Sequence, residues 1–365
     1  MILTHLALGL SLTSNRDLSG LKPLAVRLQL NLGSAVQSGV LQYNDDGGQY
    51  EKAILANCTM IEPENDLKPP SLWLGVGQYD FSNSDYIVNW ARTNGLKVRG
   101  HVLIYARDDG YTIPGWLLAM ENSITPDQAR GMLHDYIRAV VGRYHGKIFA
   151  WDVINEAIDD GSTGNPFNLR NSFWFRKLGR GFVADAFRFA HEADPTCKLY
   201  YNDYNIEAGG QKADNLFAML DYLKGQRSAI SGVGLQFHRS VGDQPYPGDG
   251  YYSMLSRIKA RNLNFMITEL DVSMPVYNYP QNDPNFGIIP INSNDLLTQA
   301  NNYRAFFKMA LGFKNCQGIQ LWGMNDSHSW IPWFSGGGRG AALYLDKNYG
   351  HKPAFDAIAN ELSLH

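Results

Sequence analysis

Of the 365 residues, 44% are hydrophobic and 18% charged, enough for a substantial core and for either two ordinary domains or one α/β barrel. Lysine plus arginine number 32 against 35 aspartates and glutamates, a net charge of −3; without basic clusters this argues against nucleic acid, because phosphate binding needs concentrated positive charge. No apolar run reaches the roughly 18–20 residues of a membrane span, and 8 tryptophans, 20 tyrosines and 17 phenylalanines argue against disorder.

Along the chain, Met1–Ser14 is apolar enough for the hydrophobic part of a signal peptide, but it lacks a basic start and an A-x-A cleavage site. Residues 1–20 are therefore read as a tail or signal remnant, and 21–365 as one catalytic domain. Short strand-like segments then recur: Leu30–Val36, Cys58–Ile61, Lys97–Leu103, Phe149–Ile154, Lys198–Tyr201, Gly232–Phe237, Asn264–Thr268 and Gly318–Trp322. Between them lie stretches of helical periodicity, among them Ser84–Asn94, Thr125–Tyr144 and Phe173–Ala193. Strands alternating with helices imply a parallel sheet, and eight such units predict an α/β fold, a single (β/α)₈ TIM barrel. Cys58, Cys197 and Cys316 are too far apart for a CxxC pair, which excludes a disulfide framework and a cysteine zinc site of ordinary spacing.

Each strand-like segment runs from apolar residues into polar or aromatic ones, and in a barrel those ends form the catalytic face. Cys58–Ile61 runs into Glu62–Asn65, and two further ends carry a glutamate: Glu156 in Trp151–Glu156 (WDVINE) and Glu269 in Ile267–Val272 (ITELDV). A glutamate closing an apolar run is costly unless paired or functional. On the fourth and seventh strands of a barrel, the two carboxylates can face each other across a sugar. Retaining glycosidases need two carboxyl groups about 5–5.5 Å apart, one acid and one nucleophile. Gln236 shares parity with His238, and Glu269 with Asp271, so a Glu269–His238–Asp271 hydrogen-bond chain would hold a carboxylate ionised. Asn155 and Glu156 are adjacent, so both serve one site only if the strand ends or bulges there.

The motifs ENDLK (Glu64, Asn65, Asp66, Leu67, Lys68), Arg99-Gly100-His101, WDVINE, YNDYN at Tyr201–Asn205, GLQFH at Gly234–His238, ITELD and WGMNDSHSW at Trp322–Trp330 occur in order. In these the chain resembles the family 10 glycoside hydrolases, the β-1,4-xylanases, from about Leu21 to Phe355. The resemblance implies that Glu156 is the acid/base and Glu269 the nucleophile, with His238 and Asp271 supporting it. It implies that Glu64, Asn65, Lys68, His101, Asn155, Tyr204, Gln236 and His238 serve the sugar subsites, with Trp322 and Trp330 as aromatic walls. Amides, lysine and histidine satisfy hydroxyls, and indoles present flat apolar faces to pyranose rings.

One stretch departs from the family. After His101 the usual pattern is HTLVWH with a glutamine two residues later, whereas this chain reads Val102-Leu103-Ile104-Tyr105-Ala106-Arg107-Asp108. Tyr105 and Ala106 thus stand for a tryptophan and a histidine near the nucleophile's subsite, and Asp108 for the glutamine. A smaller wall there is expected to weaken discrimination against glucosides, with Tyr105 still counted among the substrate-binding residues. Segment Ser335–Gly340 (SGGGRG) reads as a flexible loop beside the cleft. The expectation is a retaining endo-β-1,4-xylanase that acts on xylan and xylo-oligosaccharides as a monomer, without metal or organic cofactor. Secretion is expected because the substrate is a polymer too large to enter a cell. The alternatives are a barrel glycosidase for another β-1,4-glycoside (a glucan or aryl glycoside), or a catalytically silent barrel that binds polysaccharide.

Overall fold

Strands separated by a helix and its loops cannot turn back as hairpins, so they pair in parallel through crossovers. The computed structural model describes residues 20–278 and 287–365; the expected N-terminal tail, apart from Gly20, lies outside the described residues. The barrel strands are β1 Asn31–Val36, β2 Met60–Pro63, β3 Lys97–Gly100, β4 Ala150–Asn155, β5 Lys198–Asp203, β6 Gly232–Leu235, β7 Asn264–Pro275 and β8 Cys316–Leu321. Each pairs in parallel with its neighbour in chain order, and β8 returns to β1, so the sheet closes. Strand β7 runs well past the expected Thr268 because its far end gains two new partners: His238–Ser240, which lies parallel to it, and Arg339–Gly340, which lies antiparallel.

Outside the sheet lie α1 Gln49–Asn57, α2 Ser82–Thr93, α3 Pro126–Arg143, α4 Gly181–Ala193, α5 Gln211–Gly225, α6 Gly250–Ala260, α7 Ser293–Leu311 and α8 Pro353–Leu364. Helix α3 starts where the sequence places it. Thr125 accepts the Gln128 N–H while the Gln128 side chain accepts the Thr125 N–H, a reciprocal cap with proline at the first helical position. The helical stretch expected over Phe173–Ala193 is instead two helices, Phe173–Leu178 and α4. Gly179 between them has φ 58°, a left-handed conformation that no helix continues through.

Alternation along the strands sorts side chains to the two faces of the sheet. Ile61, Trp151, Leu199, Tyr201, Phe265 and Ile267 join the apolar shell against the helices, while Met60, Ala150, Tyr200 and Met266 form a separate small cluster that fills the barrel. Toward the strands' C-terminal ends the same inward register turns polar, with Glu62, Arg99, Asp152, Asn202 and Thr268 all fully buried. That polar layer is the floor of the face formed by the strands' C-terminal ends.

Candidate active site

At the C-terminal ends of the strands lies a cavity of about 460 Å³, lined among others by Lys68, His101, Asn155, Glu156, Gln236 and Glu269. Glu156 and Glu269 are each only 4% exposed, so each carboxylate depends on what the protein donates to it.

Glu269 accepts from Asn202 Nδ2 at 2.7 Å on Oε1 and faces His238 Nε2 at 3.1 Å on Oε2. The other ring nitrogen of His238 lies 2.8 Å from Asp271 Oδ2, which also accepts from Trp330 Nε1 at 2.9 Å. The expected Glu269–His238–Asp271 chain is therefore present. Burial would lower the His238 pKa, but the two carboxylates raise it to about 10, so it is an imidazolium that donates to both. Burial would raise the Glu269 pKa, but the hydrogen bond and charge of His238 and the Asn202 amide hold it below the usual glutamate value.

That ionised carboxylate sets the orientation of the amides beside it. Asn202 must turn its NH₂ to Glu269, and the same nitrogen donates at 2.9 Å to Asn155 Oδ1. Asn155 then presents its NH₂ to Glu156 Oε1 at 3.3 Å, and Gln236 Nε2 donates to both Asn155 Oδ1 (3.2 Å) and Glu156 Oε1 (3.0 Å). Tyr105 adds its hydroxyl to Glu156 Oε1 at 2.7 Å. Burial and then the charge of Glu156 hold the Tyr105 pKa well above its usual value, so the phenol keeps its proton. Glu156 Oε1 is thus saturated with donors. Oε2 meets the guanidinium of Arg107 at 3.2 Å.

Backbone irregularities aim these groups. Strand β4 ends at Asn155 after a register shift between Asp152 and Ile154, and Glu156 sits at φ 55°. This is how adjacent Asn155 and Glu156 serve one cavity, as the parity argument required. The left-handed turn is held by Arg170 Nε, which donates to the Glu156 carbonyl at 2.8 Å, and by Tyr201 Oη, which accepts from the N–H groups of Ala157 (3.1 Å) and Ile158 (3.2 Å). Phe237, at φ 62°, turns the chain between Gln236 and His238, with its N–H on Glu207 Oε1 at 2.9 Å. Gly234 leaves room for Asn202: a Cβ there would lie 2.2 Å from Asn202 Oδ1.

Among the other predicted residues, Lys68, His101, Tyr204, Trp322 and Trp330 line the cavity. His101 is oriented by Asp152 Oδ2, 2.8 Å from its Nδ1. Lys68 lies 5.9 Å above the Trp322 ring, and burial pulls its pKa down against the surrounding carboxylates. Glu64 and Asn65 are tied to Lys68 rather than lining the cavity. Asn65 Oδ1 accepts from the lysine at 2.8 Å, and Glu64 accepts from Asn65 at 3.4 Å and Gln37 at 3.0 Å. Glu62, His101 and Asp152 bring oxygen and nitrogen atoms together as metal ligands would. The cation among them is the buried guanidinium of Arg99, which bridges Glu62 and Asp152.

The departure after His101 is arranged differently from expectation. Tyr105 lines the same cavity as Glu269, with its hydroxyl on Glu156. Ala106 is 1% exposed and packs in the apolar shell, because its register turns it away from the cavity; it forms no sugar wall. Asp108 also faces away, accepting the Phe173 N–H at 2.9 Å and pairing with Arg176 at 2.7 Å. The loop Ser335–Gly340 is pinned, with Arg339 donating to Ser273 Oγ at 2.9 Å and to its carbonyl at 2.8 Å. Sequence reasoning overlooked Arg107, Asn202 and Phe334. Asn202 stands in the YNDYN motif and Arg107 directly follows the departure, so a signal existed for both; Phe334 carried none.

Comparison with known proteins agrees with this geometry. The pattern of glycosyl hydrolase family 10 matches residues 20–361. Endo-1,4-beta-xylanase A of Phanerodontia chrysosporium is 34% identical over 336 residues, 91% of this chain and 74% of that protein. Endo-1,4-beta-xylanase B of Thermotoga neapolitana is 31% identical over 341 residues, 93% and 90% of the two chains. Native xylanase 10B from Thermotoga maritima superposes with a TM-score of 0.84 at 30% identity, covering 94% of this chain and 98% of that one. Xylanase 10B from Thermotoga petrophila RKU-1, in complex with xylobiose, gives 0.85 at 29% identity, with 94% and 97% covered. A match over nearly the whole chain, together with a closed barrel that carries two differently held carboxylates, places the chain in glycosyl hydrolase family 10.

Proposed function

We propose that Glu269 is the nucleophile and Glu156 the acid/base of a retaining endo-β-1,4-xylanase. The observation that carries the assignment is the unequal support of the two carboxylates. Glu269 is held ionised by an imidazolium and an amide, which suits attack on an anomeric carbon. Glu156 has one saturated oxygen and one that meets only a half-exposed arginine among the described residues, which suits a group that gains and loses a proton. In the first step Glu269 bonds to the anomeric carbon while Glu156 protonates the departing oxygen. In the second, water gives its proton to Glu156 and its oxygen to the sugar, releasing Glu269.

Lys68, His101, Asn155 and Gln236 are the polar partners for xylose hydroxyls, and Trp322 and Trp330 the apolar faces. Secretion is proposed on the size of the substrate alone, and a monomer because one chain supplies every residue that lines the cavity. The test is Glu269→Ala against Glu156→Ala. The first should abolish turnover of every substrate; the second should spare glycosylation by aryl xylobiosides with good leaving groups, with added azide restoring turnover. Equal losses on activated and unactivated substrates, without azide rescue, would remove the assignment. Rates on xylan, carboxymethylcellulose and aryl β-glucosides measured side by side test the substrate.

A further inference from the structure

We propose that Arg107 is a positioning residue that biases Glu156 toward its ionised form, thinning the pool of acid for the first half-reaction and keeping the pool of base for the second. The inference rests on the reading of Glu156 as acid/base. Its starting point is the allocation of partners on that carboxylate. Oε1 receives the Tyr105 hydroxyl and the amide nitrogens of Asn155 and Gln236, and both amides are fixed as donors by the chain that begins at ionised Glu269. An oxygen facing three donors is a poor place for a proton, so the transferable proton belongs on Oε2. There the partner is Arg107, at 3.2 Å. A guanidinium has only donors, so it pairs with the ionised Oε2 and must yield when that oxygen is protonated.

A place to yield to lies alongside. The Arg107 side chain is 43% exposed, and its Nε is 3.7 Å from Asp109 Oδ2, an exposed carboxylate two residues on. In glycosylation the proton leaves Oε2 for the departing glycosidic oxygen as the carbon–oxygen bond breaks and Glu269 bonds to the anomeric carbon. A guanidinium on Oε2 favours the proton-free form and so shrinks the share of Glu156 that carries the proton this step needs. In hydrolysis, ionised Oε2 takes a proton from water as the water oxygen bonds to the anomeric carbon and Glu269 leaves. The same guanidinium enlarges the share of Glu156 that is ionised, and so able to take that proton, as pH falls. The other charged or titratable groups around Glu156 are Lys68 after β2, Tyr105 and Asp109 after β3, Arg170 after β4, Asp203 and Tyr204 at the end of β5, and Glu269 on β7. Of the cations, Arg107 is the one that touches the Glu156 carboxylate among the described residues.

The experiment compares Arg107→Met and Arg107→Lys with the unmodified enzyme on aryl β-xylobiosides of graded leaving-group ability, reading pre-steady-state bursts and the pH profile of kcat/KM. A half-exposed ion pair corresponds to about 0.2–0.7 pH unit, or a roughly 1.5–5-fold change. Arg107→Met should move the alkaline limb of kcat/KM up by that amount. It should raise kcat/KM for poor leaving groups at alkaline pH and, on the acidic limb of kcat, slow deglycosylation roughly 1.5–5-fold and enlarge the burst with dinitrophenyl xylobioside. Arg107→Lys, which keeps the charge, should lie closer to the unmodified enzyme. A rise in KM with an unmoved limb and burst would make Arg107 a substrate contact and overturn the inference. Azide rescue of Glu156→Ala is run beside it. If rescue occurs while Arg107→Met behaves as the unmodified enzyme, the Arg107 inference alone falls; if rescue fails, the acid/base reading falls and takes this inference with it.

Discussion

With glutamine in place of His238, the imidazolium that joins Glu269 Oε2 to Asp271 Oδ2 is gone, and one amide NH₂ cannot serve both oxygens in the same geometry. A hydrogen bond to a charged group is worth about 1.5–3 kcal/mol. At about 1.36 kcal/mol per pH unit, the acidic limb of kcat/KM, which reports Glu269 losing its charge as pH falls, should move up by about 1–2 pH units. The maximal rate should drop roughly 10–100-fold. Stability carries an independent signature. His238 titrates at about 10 in the fold against 6.5 for the free side chain, so its stabilisation is complete below pH 6.5 and is lost as pH rises through 10. The difference sets an upper limit of about 5 kcal/mol. Thermal unfolding of the unmodified chain should therefore weaken between pH 6.5 and 10, and the His238→Gln profile should be flatter there. The assays are pH–rate profiles on an aryl xylobioside and Tm against pH. An acidic limb that stays in place after the substitution would refute the idea that His238 keeps Glu269 ionised.

Gly234→Ala would bring a methyl group against Asn202 Oδ1. It should cost about 1–3 kcal/mol of stability by overpacking and, by displacing the amide on Glu269, raise the acidic limb; calorimetry and the pH profile check both. Ala106→His, which restores the family's usual residue, inserts a ring into the apolar shell. It should cost about 1–3 kcal/mol of stability, seen as a lower Tm, and leave the ratio of kcat/KM for xyloside over glucoside unchanged; a changed ratio would mean the position does reach the sugar. A slow 2-fluoro xylobioside should leave a covalent adduct on Glu269, found by peptide mass mapping.

The barrel and its two carboxylates were legible from the sequence because they rest on local signals. Apolar runs of strand length spaced by 3.6-period stretches fix the class of fold, and a glutamate closing such a run, as in Trp151–Glu156 and Ile267–Val272, marks the catalytic face. The pairing of Glu269 with His238 and Asp271 followed from parity along two strands, although the left-handed turn at Phe237 intervenes. What tertiary structure alone decided is which neighbour each carboxylate meets. The bulge in β4, the turn at Glu156 and the orientations of Asn202, Asn155 and Gln236 arise from contacts between different strands and loops. The same contacts turn Tyr105 and Arg107 onto Glu156 and send Ala106 into the core. Periodicity gives a residue's side of a regular strand. It loses that power where the strand ends, and the groups that tune these two carboxylates sit at such ends, where long-range packing sets the backbone.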